Sequence, residues 1–176
     1  VQINAATVAT SGAQTYNDDV LLGATAHATV LNTTNSAVMF AGKLNNQVPA
    51  TAEALTINAG SGAITFTGTV GNTGAIGALT ANTTGDTTFV SAVDAASVTT
   101  NAGGQAIIKG ARITTSGAQT YGDDVLLGSS AVTHDTALNT TNAAVMFAGK
   151  LNNQNADAES LTINAGSGAI TFTGTV

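Results

Sequence analysis

Apolar and polar residues alternate in short segments along the chain. In Ile64–Val70, three apolar residues and a glycine are separated by threonines, and Val38–Leu44 and Thr87–Val93 follow a similar pattern. An alternation of period two predicts β-strands with one buried face. No apolar stripe of helical period continues along the sequence, in which threonine, valine, isoleucine, glycine and asparagine are abundant. We therefore predict an all-β fold without helices.

Large side chains recur at similar intervals in these segments. Successive aromatic residues are 24, 26 and 23 residues apart, and Ile108 follows after a further 19; the aromatic residues are Tyr16, Phe40, Phe66 and Phe89. Such intervals are typical of one turn of a solenoid. Between them lie asparagines suited to turn geometry, whose side-chain amides can form ladders from coil to coil. These asparagines are Asn32, Asn58, Asn82 and Asn101.

Three segments of the chain occur twice, 105 to 107 residues apart. They are Ser11–Gly23 and Ser116–Gly128, Asn32–Gln47 and Asn139–Gln154, and Leu55–Val70 and Leu161–Val176. The last pair is identical, and each of the other two pairs differs at one position. A repeated unit rarely buries its apolar face alone, so we expect each copy to be stabilised by its neighbours.

Strand and turn units of near-constant length, without Asn-Gly or Asp-Gly hairpin signals, favour a right-handed parallel β-helix of roughly seven to nine coils. An antiparallel β-sandwich is the alternative. We expect residues 1–176 to form one continuous solenoid from a longer array, with residues 1–105 as a complete repeat and 106–176 as a partial one. The spacing is compatible with four or with five coils per repeat. The predicted core residues are Val38, Phe40, Leu44, Ile64, Phe66, Val70, Phe89, Val93, Phe147 and Phe172.

Charge and composition narrow the classes of partner. The net charge is -6 and only four residues are Lys or Arg, so no basic surface is expected to bind nucleic acid. No apolar run reaches the roughly 18 residues needed to span a membrane. The chain has no cysteine, which excludes disulfides and thiolate metal sites, and no targeting segment is visible at its start.

Two pairs of adjacent acids are the candidate metal ligands. Asp18 and Asp19 recur as Asp123 and Asp124. Carboxylates of this kind can bind Ca²⁺ when a loop supplies several further oxygen atoms. Aspartate is also a common turn residue, and a role in a turn is the simpler interpretation. Apart from this possible Ca²⁺ site, we expect no cofactor.

The two copies differ most in their loops. His27 and His134 align there, but only His134 is followed by an acid, so a catalytic or metal-binding histidine is a minor hypothesis. Pro49 and Asn155 lie in a second variable loop. These four residues are candidate contacts for a glycan or for a neighbouring filament.

The sequence does not favour an enzyme. Parallel β-helices include polysaccharide lyases and hydrolases, but here the acids are few and repeated, and no arginine accompanies them. We expect Glu53, Glu159, Lys43 and Lys150 to lie on the solvent face. A lyase is therefore the less favoured of the hypotheses.

The phrases ITTSGAQTYGDDVLLG, AVMFAG and LTINAGSGAITFTGTV resemble the repeat regions of large bacterial surface proteins related to filamentous haemagglutinin. The resemblance covers nearly the whole chain and implies a right-handed β-helical shaft. It further implies secretion to the surface of a Gram-negative cell and a role in adhesion, aggregation or a biofilm matrix. The partners would be neighbouring repeats, other copies in a filament, or cell-surface glycans. The resemblance does not extend to the secretion domain of that family, so it does not predict the export route.

Overall fold

The protein is an all-β solenoid, seen in a computed structural model that describes residues 1–23, 28–110, 112–128, 135–154 and 159–176. The strands of this described part are β1 (Gln2–Ile3), β2 (Thr7–Thr10), β3 (Gln14–Tyr16), β4 (Val20–Leu22), β5 (Thr29–Thr33), β6 (Val38–Phe40), β7 (Leu44–Asn46), β8 (Leu55–Gly60), β9 (Ile64–Phe66), β10 (Ile76–Thr83), β11 (Thr87–Phe89), β12 (Val93–Thr100), β13 (Gln105–Ile108), β14 (Arg112–Thr115), β15 (Gln119–Tyr121), β16 (Asp124–Leu127), β17 (Thr136–Thr140), β18 (Val145–Phe147), β19 (Leu151–Asn153), β20 (Leu161–Asn164) and β21 (Ile170–Phe172).

The strands stack in three parallel ladders, which we call walls. Wall 1 contains β1, β4, β7, Val70, the start of β12, β14, β17 and β20. Wall 2 contains β2, β5, β8, β10, the end of β12, β15, β18 and β21. Wall 3 contains β3, β6, β9, β11, β13, β16 and β19. The chain passes through walls 1, 2 and 3 in turn and then begins the next coil.

The predicted parallel β-helix is confirmed, and the antiparallel sandwich is wrong because every pairing in these ladders is parallel. Six complete turns separate β3 from β19 in wall 3, and partial turns extend the solenoid at both ends. This is close to the lower end of the seven to nine coils that the spacing predicts. The right-handed coil stays a prediction.

The sequence repeat does not contain a whole number of turns. β2 lies in wall 2, but its equivalent in the second copy, β14, lies in wall 1. Between them the chain returns to wall 2 at β5, β8, β10 and β12, and then passes wall 3, so one repeat advances by four and two-thirds turns. Neither four nor five coils per repeat is therefore correct. Equivalent strands of the two copies lie one wall apart around the axis.

The core fills the space between the walls. Nine of the ten predicted core residues are at most 1% exposed. The tenth, Phe172, is wrong as a buried residue because β21 pairs on one side with β18 and has no strand of the described chain on its other side. Its ring packs against Phe147 at 5.0 Å but is 43% exposed.

Aromatic rings and amides form the expected columns. Tyr16, Phe40, Phe66 and Phe89 stack with ring centroids 5.0 to 5.4 Å apart, and Ile108 pairs with Phe89 as predicted. Adjacent coils also share hydrogen bonds of 2.8 Å along an asparagine ladder made by Asn32, Asn58 and Asn82. Asn101 leaves this ladder, because its side-chain oxygen accepts a hydrogen bond from the Thr83 backbone.

Candidate functional site

The second acid of each predicted Ca²⁺ pair anchors the following coil. Asp19 Oδ1 accepts a hydrogen bond of 2.8 Å from the backbone N–H of Lys43, and Asp124 Oδ1 accepts the same bond from Lys150. The corner after each pair is therefore hydrogen-bonded to the next coil in the same way in both copies. This contact supports the interpretation of the pairs as turn residues.

The first acid of each pair has a different environment in the two copies. Asp18 lies on the first coil and is exposed, whereas Asp123 is 1% exposed. Asp123 Oδ1 accepts a hydrogen bond of 2.9 Å from the backbone N–H of Gly104, in the preceding coil. The burial of Asp123 therefore comes from the coil that lies beneath it.

The environment of Asp123 disfavours its charged form. Burial is the main cause that raises the pKa of this carboxyl above its ordinary value. The hydrogen bond from Gly104 and the nearby Thr100 side chain oppose the rise in pKa, and the negative charges of Asp124 and Asp86 add to it. An acid with a raised pKa binds protons more readily in the folded state. The free energy of unfolding therefore falls as the pH rises from the ordinary pKa of an aspartate to the raised pKa of Asp123.

Replacing Asp123 with asparagine tests this environment. We expect Asp123→Asn to raise the melting temperature at pH 7, because the amide oxygen can still accept the Gly104 hydrogen bond while the buried charge is lost. The fall in stability from about pH 4 up to the raised pKa should also become smaller. Thermal unfolding between pH 3 and 8 measures both effects. The matched control Asp18→Asn should change the free energy of unfolding by less than about 0.5 kcal/mol. Equal effects of the two substitutions would contradict the assignment.

The described residues contain no group of three or more histidine, aspartate or glutamate side chains placed to hold a metal ion together. Ca²⁺ binding at the aspartate pairs stays a prediction.

Of the predicted loop contacts, His27, His134 and Asn155 lie outside the described residues. Pro49 is exposed and lies under the turn of the next coil, where a Cβ atom on Gly74 would be 2.9 Å from the Pro49 Cα.

The two repeated glutamates are not simple surface charges. The prediction that Glu53 faces solvent is wrong, because this residue is 1% exposed. Its carboxyl group lies against Gly23, which has a positive φ of 41°, and a Cβ atom there would be 3.2 Å from Glu53 Cδ. Glu159 lies in the same way against Gly128, where a Cβ atom would be 2.5 Å from Oε1. The joint recurrence of glycine and glutamate in both copies is the sequence signal for this contact.

Sequence reasoning also missed a buried glutamine in each copy, which is hydrogen-bonded to a tyrosine. The Tyr121 hydroxyl donates a hydrogen bond of 3.0 Å to Gln119 Oε1, and both side chains are fully buried. Gln119 Nε2 in turn donates to the carbonyls of Ile113 and Asn139, at 3.2 and 3.0 Å. Burial raises the pKa of Tyr121. The pair satisfies its polar atoms by linking neighbouring coils, and Gln14 and Tyr16 make the same contact in the first copy.

The one arginine of the chain is held in an ion pair. Arg112 Nη1 lies 2.6 Å from Asp94 Oδ1, and Nη2 lies 2.9 Å from Oδ2, across adjacent strands of wall 1. Arg112 is thus engaged away from the aspartate pairs.

A cavity of about 290 Å³ opens at the last coil, with Leu127, Leu151, Leu161 and Val176 in its lining.

Together, the stacked walls and the repeated contacts define the chain as a β-solenoid repeat protein. Comparisons with protein-family models, with curated proteins and with solved structures found no match. The described residues include no helix long and apolar enough to cross a membrane.

Proposed function

We propose that this chain is the structural shaft of a secreted bacterial adhesin or extracellular matrix filament. The observation that carries the proposal is the continuity of the coil stack. Three parallel ladders run through both copies of the repeat around a single core cluster. A rod of this kind gains length by adding coils, each of which is stabilised mainly by its neighbours.

The polar side chains support this proposal because their hydrogen bonds connect neighbouring coils. Asp19 and Asp124 tie corners to the next coil, the asparagine ladder joins adjacent coils, and Gln119 bridges three strands. The extracellular location and the role in adhesion, aggregation or a biofilm rest on the resemblance of the repeat phrases. An antibody against the chain should label the outside of intact cells of the organism that makes it.

A replacement experiment tests the role as a shaft. The segment is exchanged, in the organism that makes it, for an unrelated β-solenoid with the same number of turns, and cell aggregation and adhesion are measured. A structural shaft requires only length and stiffness. The exchange should therefore restore aggregation and adhesion to a strain from which the segment has been deleted. Failure of the exchange would instead favour binding through the loops around His27 and Pro49. A deletion without any effect would overturn both proposals.

A further inference from the structure

Four threonines lie directly above one another on the outer side of wall 2. Strand pairing places Thr80 beside Thr56 in one neighbouring coil and beside Thr99 in the other, and Thr99 in turn beside Thr120. The intervals along the chain are 24, 19 and 21 residues, so coils of unequal length still bring threonine onto threonine. Each of the four is half-buried between two buried neighbours in its strand, and therefore points outward.

The column includes Thr120 because of the rotation between the two copies. Thr15 is the equivalent of Thr120 in the first copy, but it lies on wall 3 and pairs with Met39. The column on the outer side of wall 3 contains Thr15, Met39, Thr65, Thr88 and Ile107. Wall 3 thus has outward threonines interrupted by apolar side chains, whereas on wall 2 four threonines follow one another.

The asparagine ladder of the first copy runs beside the threonine column. Asn58 and Asn82 follow Thr56 and Thr80 by two residues, so they lie on the same face of their strands. The ladder uses one N–H of Asn58 and one of Asn82. A side-chain amide has two N–H groups and two lone pairs, so each of these asparagines keeps an N–H and a lone pair for a ligand.

The hydroxyl groups of the threonine column are also available, because none of them makes a hydrogen bond within the described part of the chain. We call the threonine column and the ladder together the polar face. Its residues are Asn32, Thr56, Asn58, Thr80, Asn82, Thr99 and Thr120. The polar face therefore offers unused donors and acceptors on successive coils, about 4.8 Å apart along the rod.

The polar face carries no charge. Among the described residues, the parts of the strands that form wall 2 contain no aspartate, glutamate, lysine or arginine. The chain as a whole has a net charge of -6. An acidic polymer or a second copy of the chain is repelled by that net charge, and no cation on this face opposes the repulsion. The charge distribution therefore favours a neutral partner that is rich in hydroxyl groups.

We propose that the polar face binds a neutral, extended polysaccharide that lies along the rod, with about one sugar unit over each coil. A straight row of donors and acceptors requires a straight ligand, and β-linked hexose polymers with a ribbon conformation repeat their hydroxyl groups at a comparable interval. Each contact is weak, but contacts on successive coils add up because they involve the same two molecules. The inference goes beyond the role as a shaft, which needs no ligand, and it assigns the site to strands and not to the variable loops.

Affinity electrophoresis tests the proposal. The protein is run in native gels that contain a soluble β-linked glucan, a soluble β-linked mannan or polygalacturonate, and its retardation gives an apparent Kd. We expect retardation by at least one of the two neutral polymers and none by polygalacturonate. The triple variant Thr56→Val, Thr80→Val and Thr99→Val should bind about tenfold more weakly or worse, because valine keeps the branched shape but removes the hydroxyl. Thr80→Val alone should weaken binding about threefold.

A second triple variant on wall 3 is the matched control. Thr15→Val, Thr65→Val and Thr88→Val together remove the same number of outward hydroxyls and should leave the apparent Kd within about twofold. Circular dichroism and thermal unfolding show whether the variants are folded.

Three results would overturn the proposal: no retardation by either neutral polymer, equal retardation by polygalacturonate, or equal weakening by the two triple variants. Sedimentation velocity without polysaccharide adds a fourth. Self-association that only the wall-2 variant loses would identify a second copy as the occupant. The wall-2 variant keeps the length of the rod, so loss of polysaccharide binding leaves the proposal of a shaft intact.

Discussion

Phe66→Ala should lower the free energy of unfolding by about 3–5 kcal/mol, the range found when a buried phenylalanine is truncated. Phe66 is 1% exposed and lies between the rings of Phe40 and Phe89, at 5.3 and 5.4 Å. Truncation leaves a cavity in the middle of the aromatic column, and the stiff coils on either side cannot move together to fill it. Urea unfolding followed by circular dichroism measures the loss.

The chain contains its own control for this substitution. Phe172 occupies the same place in an identical stretch of sequence, but among the rings of the described residues it stacks on Phe147 alone, and it is 43% exposed. Phe172→Ala should therefore cost about 1 kcal/mol, since less apolar surface returns to water. If the two substitutions had equal effects, the coil stack would not be the source of the stability of the column.

The aromatic column also shows how far the sequence predicts the fold. The interval between large side chains predicts that Tyr16, Phe40, Phe66 and Phe89 lie above one another, and period-two alternation gives the inward direction of each. Both predictions are confirmed, because these local patterns reflect the backbone geometry of a strand. The position of a coil in the stack is not a local property. For that reason Phe172 has the sequence of a core residue but an exposed ring.

The rotation between the two copies is a second property that the spacing does not reveal. Register pairs are 23 to 26 residues apart in the first coils, but only 19 separate Thr80 from Thr99. β12 also runs from wall 1 into wall 2 without an intervening loop. These short coils make the repeat end two-thirds of the way around a turn. Only the strand pairing, and not the sequence offset, shows where each coil closes.

The rotation changes what the surface of the rod offers to partners. The asparagine ladder of the first copy, from Asn32, lies on wall 2, whereas the ladder of the second copy, from Asn139 to Asn164, lies on wall 1. Surface residues copied by the repeat therefore do not form one continuous stripe along a single side.

Gly104→Ala should cost about 3 kcal/mol or more, because it places a methyl group where two coils are in direct contact. A Cβ atom on Gly104 would lie 1.9 Å from the Gly85 carbonyl oxygen and 2.7 Å from its carbon. These are backbone atoms of the preceding coil, so they can give way only if the coils separate. The Gly104 N–H also donates to Asp123, and separation would stretch this bond. Thermal and urea unfolding measure the loss of stability.

Gly12→Ala is the matched control for this steric effect. Gly12 is an exposed corner glycine on the first coil, and a Cβ atom there would meet no atom within 4 Å. Its alanine variant should be neutral, or more stable by about 0.4–1 kcal/mol through the reduced entropy of the unfolded chain. A small effect of both substitutions would mean that neighbouring corners can move apart to accommodate a methyl group. A large effect confined to Gly104 means that close backbone contact between coils limits which corner residues can acquire a side chain.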